Sequence, residues 1–349
     1  MSITFNKKQQ QVINELNQNI LLSAGAGTGK TNVLSYRVAN ILNKNRANAN
    51  EILCLTFTNK ACRELKNRIT SQLDFETANK ITIRTIHGFA YQVITTTAKK
   101  AQTIFKEFVI FDDEDQKTLI KQTIANFPKA RALDIQYIVN CIEQLKQERA
   151  LKHIYTEDIE ADYTTIYHQH LKFNKTFNQQ QSDNLTKFFQ FDGLNIIINY
   201  ELALQQMHGL DYKDLIANAY RLFQDENICL SWRKRYKYIM IDEMQDTSSF
   251  EYTMLENLFP ANNIMLCGDE FQTIYEWRGS NPQKILTAFT EKYNPLIINF
   301  NENYRSTKLL LEMAYNTLIN LFCKETILHS YAKNLLSKSS ELGHKIELK

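Results

Sequence analysis

Between Asn19 and Thr31 the chain reads N-I-L-L-S-A-G-A-G-T-G-K-T, and no other stretch constrains the fold as tightly. Ile20, Leu21 and Leu22 form a short apolar run with the texture of a buried strand. Gly25, Gly27 and Gly29 punctuate the loop that follows, and Val33, Leu34, Val38, Ile41 and Leu42 then recur at helical spacing. A strand, a glycine-rich loop and a helix, with Gly-Lys-Thr closing the loop, make a phosphate-binding loop. Its backbone N–H groups, from Gly25 through Ala26, Gly27, Thr28 and Gly29 to Lys30, are expected to wrap a triphosphate at the helix N-terminus. Lys30 should reach the β- and γ-phosphates, and the Thr31 hydroxyl should hold Mg²⁺. The first glycine of the usual G-x-x-x-x-G-K-T pattern is Ala24 here, a small departure, because alanine tolerates most backbone angles the position needs.

The rest of the chain repeats this logic. Residues 52–57 (I-L-C-L-T-F) read as a second buried strand, which runs through Thr58-Asn59-Lys60 into a helix with Ala61, Leu65 and Ile69 on one face. Successive strand–turn–helix units point to an α/β fold with a doubly wound parallel sheet, which places ligands at the carboxyl ends of its strands. Phe57, Thr58 and Asn59 occupy such an end. A third strand, Ile81–Arg84, leads into Thr85-Ile86-His87-Gly88-Phe89, where His87 reads either as a structural hydrogen-bonder or as a backbone or nucleic-acid contact. The strand Y-I-M-I at 238–241 ends in Asp242-Glu243, the pair a phosphate-loop enzyme needs opposite its Lys-Thr. Asp242 would hold Mg²⁺ through its water shell, and Glu243 would take a proton from the attacking water.

Two further strand ends complete the set. Ile264–Cys267 is followed by Gly268-Asp269 and then Gln272, Tyr275, Trp277 and Arg278. Core packing is the usual fate of such aromatics, and stacking on unpaired bases is the sharper alternative. Leu296–Phe300 precedes Asn303-Tyr304-Arg305-Ser306, from which Arg305 is expected to reach the γ-phosphate. Upstream of the loop, Phe5–Gln9 opens a helix running to about Leu16. The Gln9 amide has the donor and acceptor to read the N6/N7 edge of adenine, yet beside Gln10 and Gln11 it reads as a surface helix residue.

From about Thr95 to Asn227 the texture changes to polar helical periodicity with hardly a glycine, as in a helical insertion into the sheet domain. Within it the basic run Lys146, Arg149, Lys152 and His153 reads as a solvated helix face. A net charge of +3 argues for no particular partner. The six cysteines form no C-x-x-C pair, which disfavours zinc and fits reduced thiols. With no signal-peptide core at the N-terminus and no run near the ~18 apolar residues of a membrane span, a cytoplasmic protein without a membrane partner is expected.

Taken in order, F-N-K-K-Q, A-G-A-G-T-G-K-T, T-F-T-N-K-A, T-I-H-G-F, D-E-M-Q-D-T, G-D-E-F-Q-T-I-Y-E-W-R-G and N-Y-R-S resemble the motifs of the UvrD/Rep family of superfamily-one helicases, from Phe5 to about Leu321. The resemblance implies a RecA-like P-loop motor that uses ATP and Mg²⁺ to move 3′ to 5′ along single-stranded DNA or at a single-strand/double-strand junction. By that resemblance Gln9 reads adenine, Tyr304 stacks on it, and Lys30 with Thr31 holds the phosphates and Mg²⁺. Asp242 is then the metal carboxylate, Glu243 the catalytic base, Arg305 the first arginine finger, and Gln272 the link from the γ-phosphate to DNA. Phe57, Thr58, Asn59, His87, Tyr275, Trp277 and Arg278 match positions lining the single-strand channel. Leu210–Leu215 resembles the re-entry from the family's helical insertion. The implied domains are 1–95 with 228–299 as the ATP-binding motor domain, 96–227 as the insertion, and 300–349 as the beginning of a second motor domain.

Two departures stand out. The family often has arginine after the loop threonine, where this chain has Asn32. The later motifs T-x-H-x-x-K-G-L-E and V-A-x-T-R-A do not occur after Arg305, so a fragment of a longer helicase is expected, completed by a C-terminal helicase domain or a partner protein. Alone, it should bind ATP–Mg²⁺ weakly and hydrolyse it slowly. The rival readings are a nucleic-acid-binding module with a vestigial ATPase and the motor half of a helicase–nuclease or defence complex.

Overall fold

The computed structural model describes residues 4–98, 107–156, 158–172, 179–269, 272, 280–321 and 336–338. They fall into two compact units, the first comprising Met1–Ile86, Ser231–Tyr252 and Glu256–Lys349, the second His87–Leu230 and Thr253–Leu255.

The first unit is built on six strands: β1 (Ile20–Ala24), β2 (Ile52–Thr56), β3 (Thr82–Thr85), β6 (Tyr238–Ile241), β7 (Asn263–Gly268) and β8 (Leu296–Phe300). Their order is β3-β2-β6-β7-β1-β8 and every pairing is parallel. This is the α/β class that the sequence implies. The inner strands β2 and β6 are buried along their whole length, which is why they read as unbroken apolar runs. At the sheet edge β8 alternates instead, with Ile297 exposed. Helices α1 (Lys7–Asn14), α2 (Lys30–Asn43), α3 (Asn59–Thr70), α4 (Phe75–Lys80), α14 (Pro282–Tyr293) and α15 (Lys308–Leu321) also belong to this unit. Val12 of α1, Val33, Leu34 and Val38 of α2, and Leu65 and Ile69 of α3 pack on Leu22, Cys54, Met265 and Cys267 of the sheet. Because the strands are parallel and in register (Leu22↔Cys267, Leu55↔Ile241, Ile241↔Leu266), the segments after β1, β2, β6 and β7 emerge at one edge. That edge positions the site.

The second unit contains most of α5 (Ile86–Ala98), then α6 (Asp113–Ile124), α7 (Ile135–Leu151), α8 (Ile159–Lys172), α9 (Gln179–Gln190), α10 (Gly193–Gln206) and α11 (Tyr212–Phe223). A small parallel pair, β4 (Val109–Phe111) with β5 (Gly209–Asp211), accompanies them. Ile120, Ile138, Ile142, Tyr163, Phe188, Ile196 and Tyr200 form its core. The segment 210–215 lies inside this unit, and the chain returns to the first unit only at Ser231, within α12 (Glu226–Arg235). Helix α13 (Ser249–Glu256) contains Thr253–Leu255. Of residues 300–349, Phe300 ends β8, and β9 (Glu302–Asn303) pairs in parallel with β10 (Leu336–Ser337).

One expectation is overturned. The run 146–153 is a solvated face only toward its end, where His153 is exposed: the Lys146 side chain is 2 % exposed, and its Nζ lies 2.7 Å from Glu201, 2.6 Å from Asp211 and 2.7 Å from Asp214. Arg149 donates to Asp162 from Nε at 2.9 Å and Nη2 at 2.7 Å. Charge spacing along a helix does not reveal carboxylates that other helices bring to it.

Candidate nucleotide site

The loop after β1 closes on itself and on α1. Thr28 Oγ1 donates to the Gly25 carbonyl at 2.7 Å, and Gly29, at φ +87°, opens α2. Only a residue without Cβ takes that left-handed conformation without strain. Gln9 is not on the surface, contrary to its reading beside Gln10 and Gln11: it is buried at the third position of α1. Its Oε1 accepts from the Asn6 N–H at 3.0 Å, its own N–H donates to Asn6 Oδ1 at 2.8 Å, and its Nε2 donates to the Thr28 carbonyl at 3.0 Å. A capping box needs an amide or carboxylate at that position, and here the same side chain also braces the loop.

Across the sheet edge, Lys30 Nζ donates to Glu243 Oε2 at 3.1 Å. Burial by itself would lower the Lys30 pKa, but Cys267, Glu243 and Asp242 more than offset it and hold the ammonium above its ordinary value. Asp242 is buried at the end of β6, and burial followed by the charge of Glu243 pushes its carboxyl up to about 6. Asp246 is pushed up to about 6 by the same two causes. Glu243 sits at φ +55°, a left-handed conformation that non-glycine residues hold only when their surroundings impose it. A chain of hydrogen bonds leads from it. Gln245 Nε2 donates to Glu243 Oε2 at 2.7 Å, the Asp269 N–H donates to Gln245 Oε1 at 2.9 Å, and Gln272 Nε2 donates to Asp269 Oδ2 at 2.6 Å.

The donors fit a hard cation. Thr31, beside Lys30 at the start of α2, and Asp242 offer oxygen ligands, the set Mg²⁺ prefers. Asp246 Oδ1 is buried and makes no hydrogen bond among the described residues. Asp242, Glu243 and Asp246 together outweigh the charge of Lys30, an excess that a divalent ion would offset.

The turn after β8 faces the loop. The Tyr304 N–H donates to the Gly27 carbonyl at 2.8 Å, and Asn303 Nδ2 donates to the Ala26 carbonyl at 2.7 Å. Tyr304 keeps its ring exposed, with its hydroxyl donating to Glu302 at 2.7 Å and accepting from Asn6 Nδ2 at 3.1 Å. Asn6 Nδ2 also donates to Glu302 at 2.9 Å, so the α1 cap and the Tyr304 turn are held together. Arg305 is exposed beside them.

Comparison with known proteins gives the family. Residues 5–294 match the family model described as UvrD/REP helicase N-terminal domain. The chain belongs to the UvrD/REP helicase family. It is 30 % identical over 352 residues to a probable DNA helicase II homolog of Mycoplasma capricolum, covering 99 % of this chain and 44 % of that protein. It is 29 % identical over 318 residues to the ATP-dependent DNA helicase PcrA of Leuconostoc citreum, covering 90 % of this chain and 39 % of that one. It is 30 % identical over 355 residues to the ATP-dependent DNA helicase Rep of Buchnera aphidicola, covering 100 % of this chain and 48 % of that relative. The chain therefore spans less than half the length of these three relatives.

Of the DNA-contact candidates of this UvrD/REP chain, Phe57, Thr58 and Asn59 belong to the first unit. Thr58 caps α3, its hydroxyl accepting from the Ala61 N–H at 3.1 Å, with half-buried Phe57 before it and exposed Asn59 after it. His87 belongs to the second unit, where its ring meets Tyr212 edge-on at 5.5 Å. Tyr275, Trp277 and Arg278 lie outside the described residues. No helix among the described residues is long and apolar enough to cross a membrane. Where the family often carries arginine, Asn32 Oδ1 accepts a hydrogen bond from Arg68 of α3, so a guanidinium stands beside the loop after all. Arg68, Asn6 and Glu302 escape a reading of the sequence because Asn32, Glu302 with Tyr304, and Asn6, to which they bond here, lie far along the chain.

Proposed function

We propose that this chain is the ATP-binding motor half of a DNA helicase, hydrolysing ATP to drive 3′-to-5′ movement on single-stranded DNA, with a C-terminal helicase domain or a partner protein completing the cleft. What supports the reading most is the 3.1 Å pairing of Lys30, at the start of α2, with Glu243, just past the end of β6, as expected of a phosphate ligand beside a proton acceptor. On nucleotide entry Lys30 turns from Glu243 to the β- and γ-phosphates, which leaves the Glu243 carboxylate held by Gln245 and able to accept the proton of the attacking water. Thr31 and Asp242 are the residues that would hold Mg²⁺, which would supply positive charge to offset the charge developing on the phosphates. Gln9 and Tyr304 bracket the adenine, and Arg305 meets the γ-phosphate, where a guanidinium suits spreading charge. Gln272, tied to Glu243 through Asp269 and Gln245, links this chemistry to the DNA track of Phe57, Thr58, Asn59, His87, Tyr275, Trp277 and Arg278.

The test is ATP turnover by the 349-residue chain with and without an oligothymidine strand, beside Lys30→Ala and Glu243→Gln. Expected are slow turnover that DNA increases, loss of nucleotide binding in Lys30→Ala, and retained binding with turnover lowered ~100-fold or more in Glu243→Gln. Nucleotide binding indifferent to Lys30→Ala would remove the reading.

A further inference from the structure

Asn303 has no task in the account above, yet its side chain makes three hydrogen bonds. It is buried, its Nδ2 donates to the Ala26 carbonyl at 2.7 Å, and its Oδ1 accepts from the N–H groups of Arg305 at 2.9 Å and Ser306 at 2.7 Å. One carboxamide thus spans from the phosphate-binding loop to the backbone that carries Arg305. The bonds to the residues two and three positions on form an Asx turn, which fixes the backbone of Tyr304 and Arg305 and with it the direction in which both side chains leave the chain. The close approach is enforced from the other side. Gly27 sits at φ +75°, and a Cβ built there would lie 2.6 Å from Arg305 Cβ and 2.9 Å from Asn303 Nδ2. Loop and turn are therefore in direct contact, with no space for a side chain between them.

We propose that Asn303 is a positioning residue for Arg305: it rivets the arginine-bearing turn to the loop, so that the guanidinium meets the γ-phosphate of a bound nucleoside triphosphate and the site distinguishes triphosphate from diphosphate. The inference rests on the ATP-site reading and adds the device that orients its arginine. Holding Arg305 in place before the nucleotide arrives removes an ordering cost that a free turn would meet on binding.

The experiment is equilibrium binding of ATPγS–Mg²⁺ and ADP–Mg²⁺ to the chain, to Arg305→Ala, to Asn303→Ala and to the double variant, with thermal melts of each. The unmodified chain should prefer ATPγS, and Arg305→Ala should cut that preference about tenfold, the size of one lost charge-assisted contact. Asn303→Ala should cut it to within about twofold of Arg305→Ala, and the double variant should go no lower, because both changes remove one interaction. ADP affinity should move little throughout, whereas a merely structural Asn303 would weaken both nucleotides alike. If Asn303→Ala does not fold, Asn303→Ser keeps an oxygen for the turn but is too short for the Ala26 carbonyl, and the same loss is expected. An ATPγS preference intact in the Asn303 variants, or one that falls multiplicatively in the double variant, overturns the inference alone. A chain that binds neither nucleotide, or an Arg305→Ala variant indistinguishable from the original, overturns the ATP-site reading and the inference with it.

Discussion

Asp242 shows how a single buried group sets the working conditions of this site. Its carboxyl titrates at about 6, against 3.8 unperturbed, because burial and then Glu243 resist its ionisation. A carboxyl raised in the folded state keeps its proton there while the unfolded chain has lost it, so stability falls as pH rises from about 4 to about 6. The nucleotide-free chain therefore carries a penalty at neutral pH that a bound cation would relieve. Asp242→Asn should raise the melting temperature at pH 7.5, by the equivalent of roughly 1–3 kcal/mol, with the gain shrinking toward pH 4. The same variant should lose any melting shift on addition of Mg²⁺–ATPγS. An equal shift in the variant and the unmodified chain would take Asp242 out of the metal site.

At the scale of elements, α1 is held by an arginine that the sequence does not single out. Arg37 of α2 is fully buried, donating from Nη1 to the Val12 carbonyl at 2.6 Å and to the Glu15 carbonyl, and from Nη2 to Asn263 Oδ1 at 3.0 Å. Burial brings its pKa down to about 10, still charged at neutral pH. The guanidinium satisfies carbonyls at the C-terminal end of α1, where the helix dipole is negative. Arg37→Met fills similar space but leaves those carbonyls unmatched, at a cost of about 2–4 kcal/mol. Amide exchange along residues 7–14 should quicken, and Gln9 should lose its fixed place against Thr28. Unchanged exchange in α1 would mean that apolar packing of Val12 and Ile13 alone holds the helix.

For the whole molecule, two units are stabilised by different means. The first relies on apolar packing of helices on a parallel sheet, the second on an apolar core plus an internal ion cluster. Lys146 pairs with Glu201, Asp211 and Asp214, Arg149 also reaches Glu201, and burial and then Asp211 push the Asp214 carboxyl well above its usual range. Lys146→Met leaves three buried carboxylates without their shared cation, a loss of about 3–5 kcal/mol. Hydrogen exchange should rise across residues 135–223 while nucleotide binding through Lys30 persists. Exchange raised equally in the first unit would show that the two do not melt separately.

Much of the first unit is local and was therefore legible. The strands β1, β2, β6, β7 and β8 each form from one contiguous apolar run, and the phosphate-binding loop is a contiguous motif whose glycines serve positive φ at Gly27 and Gly29. Lys30, Asp242 and Glu243 follow from residue type and position at strand ends, because a parallel sheet must bring those ends to one edge. What the linear order withholds is partnership across long separations. Gln9 is a surface residue by its neighbours and a buried brace by its contact with Thr28. Lys146 is a solvated lysine by its helix and a buried counter-ion by Asp211. Asn303 is one letter of a motif until the fold sets it against Ala26. Periodicity and residue chemistry act within a segment and so are written there, whereas burial, charge pairing and pKa depend on distances that exist only after the chain has closed.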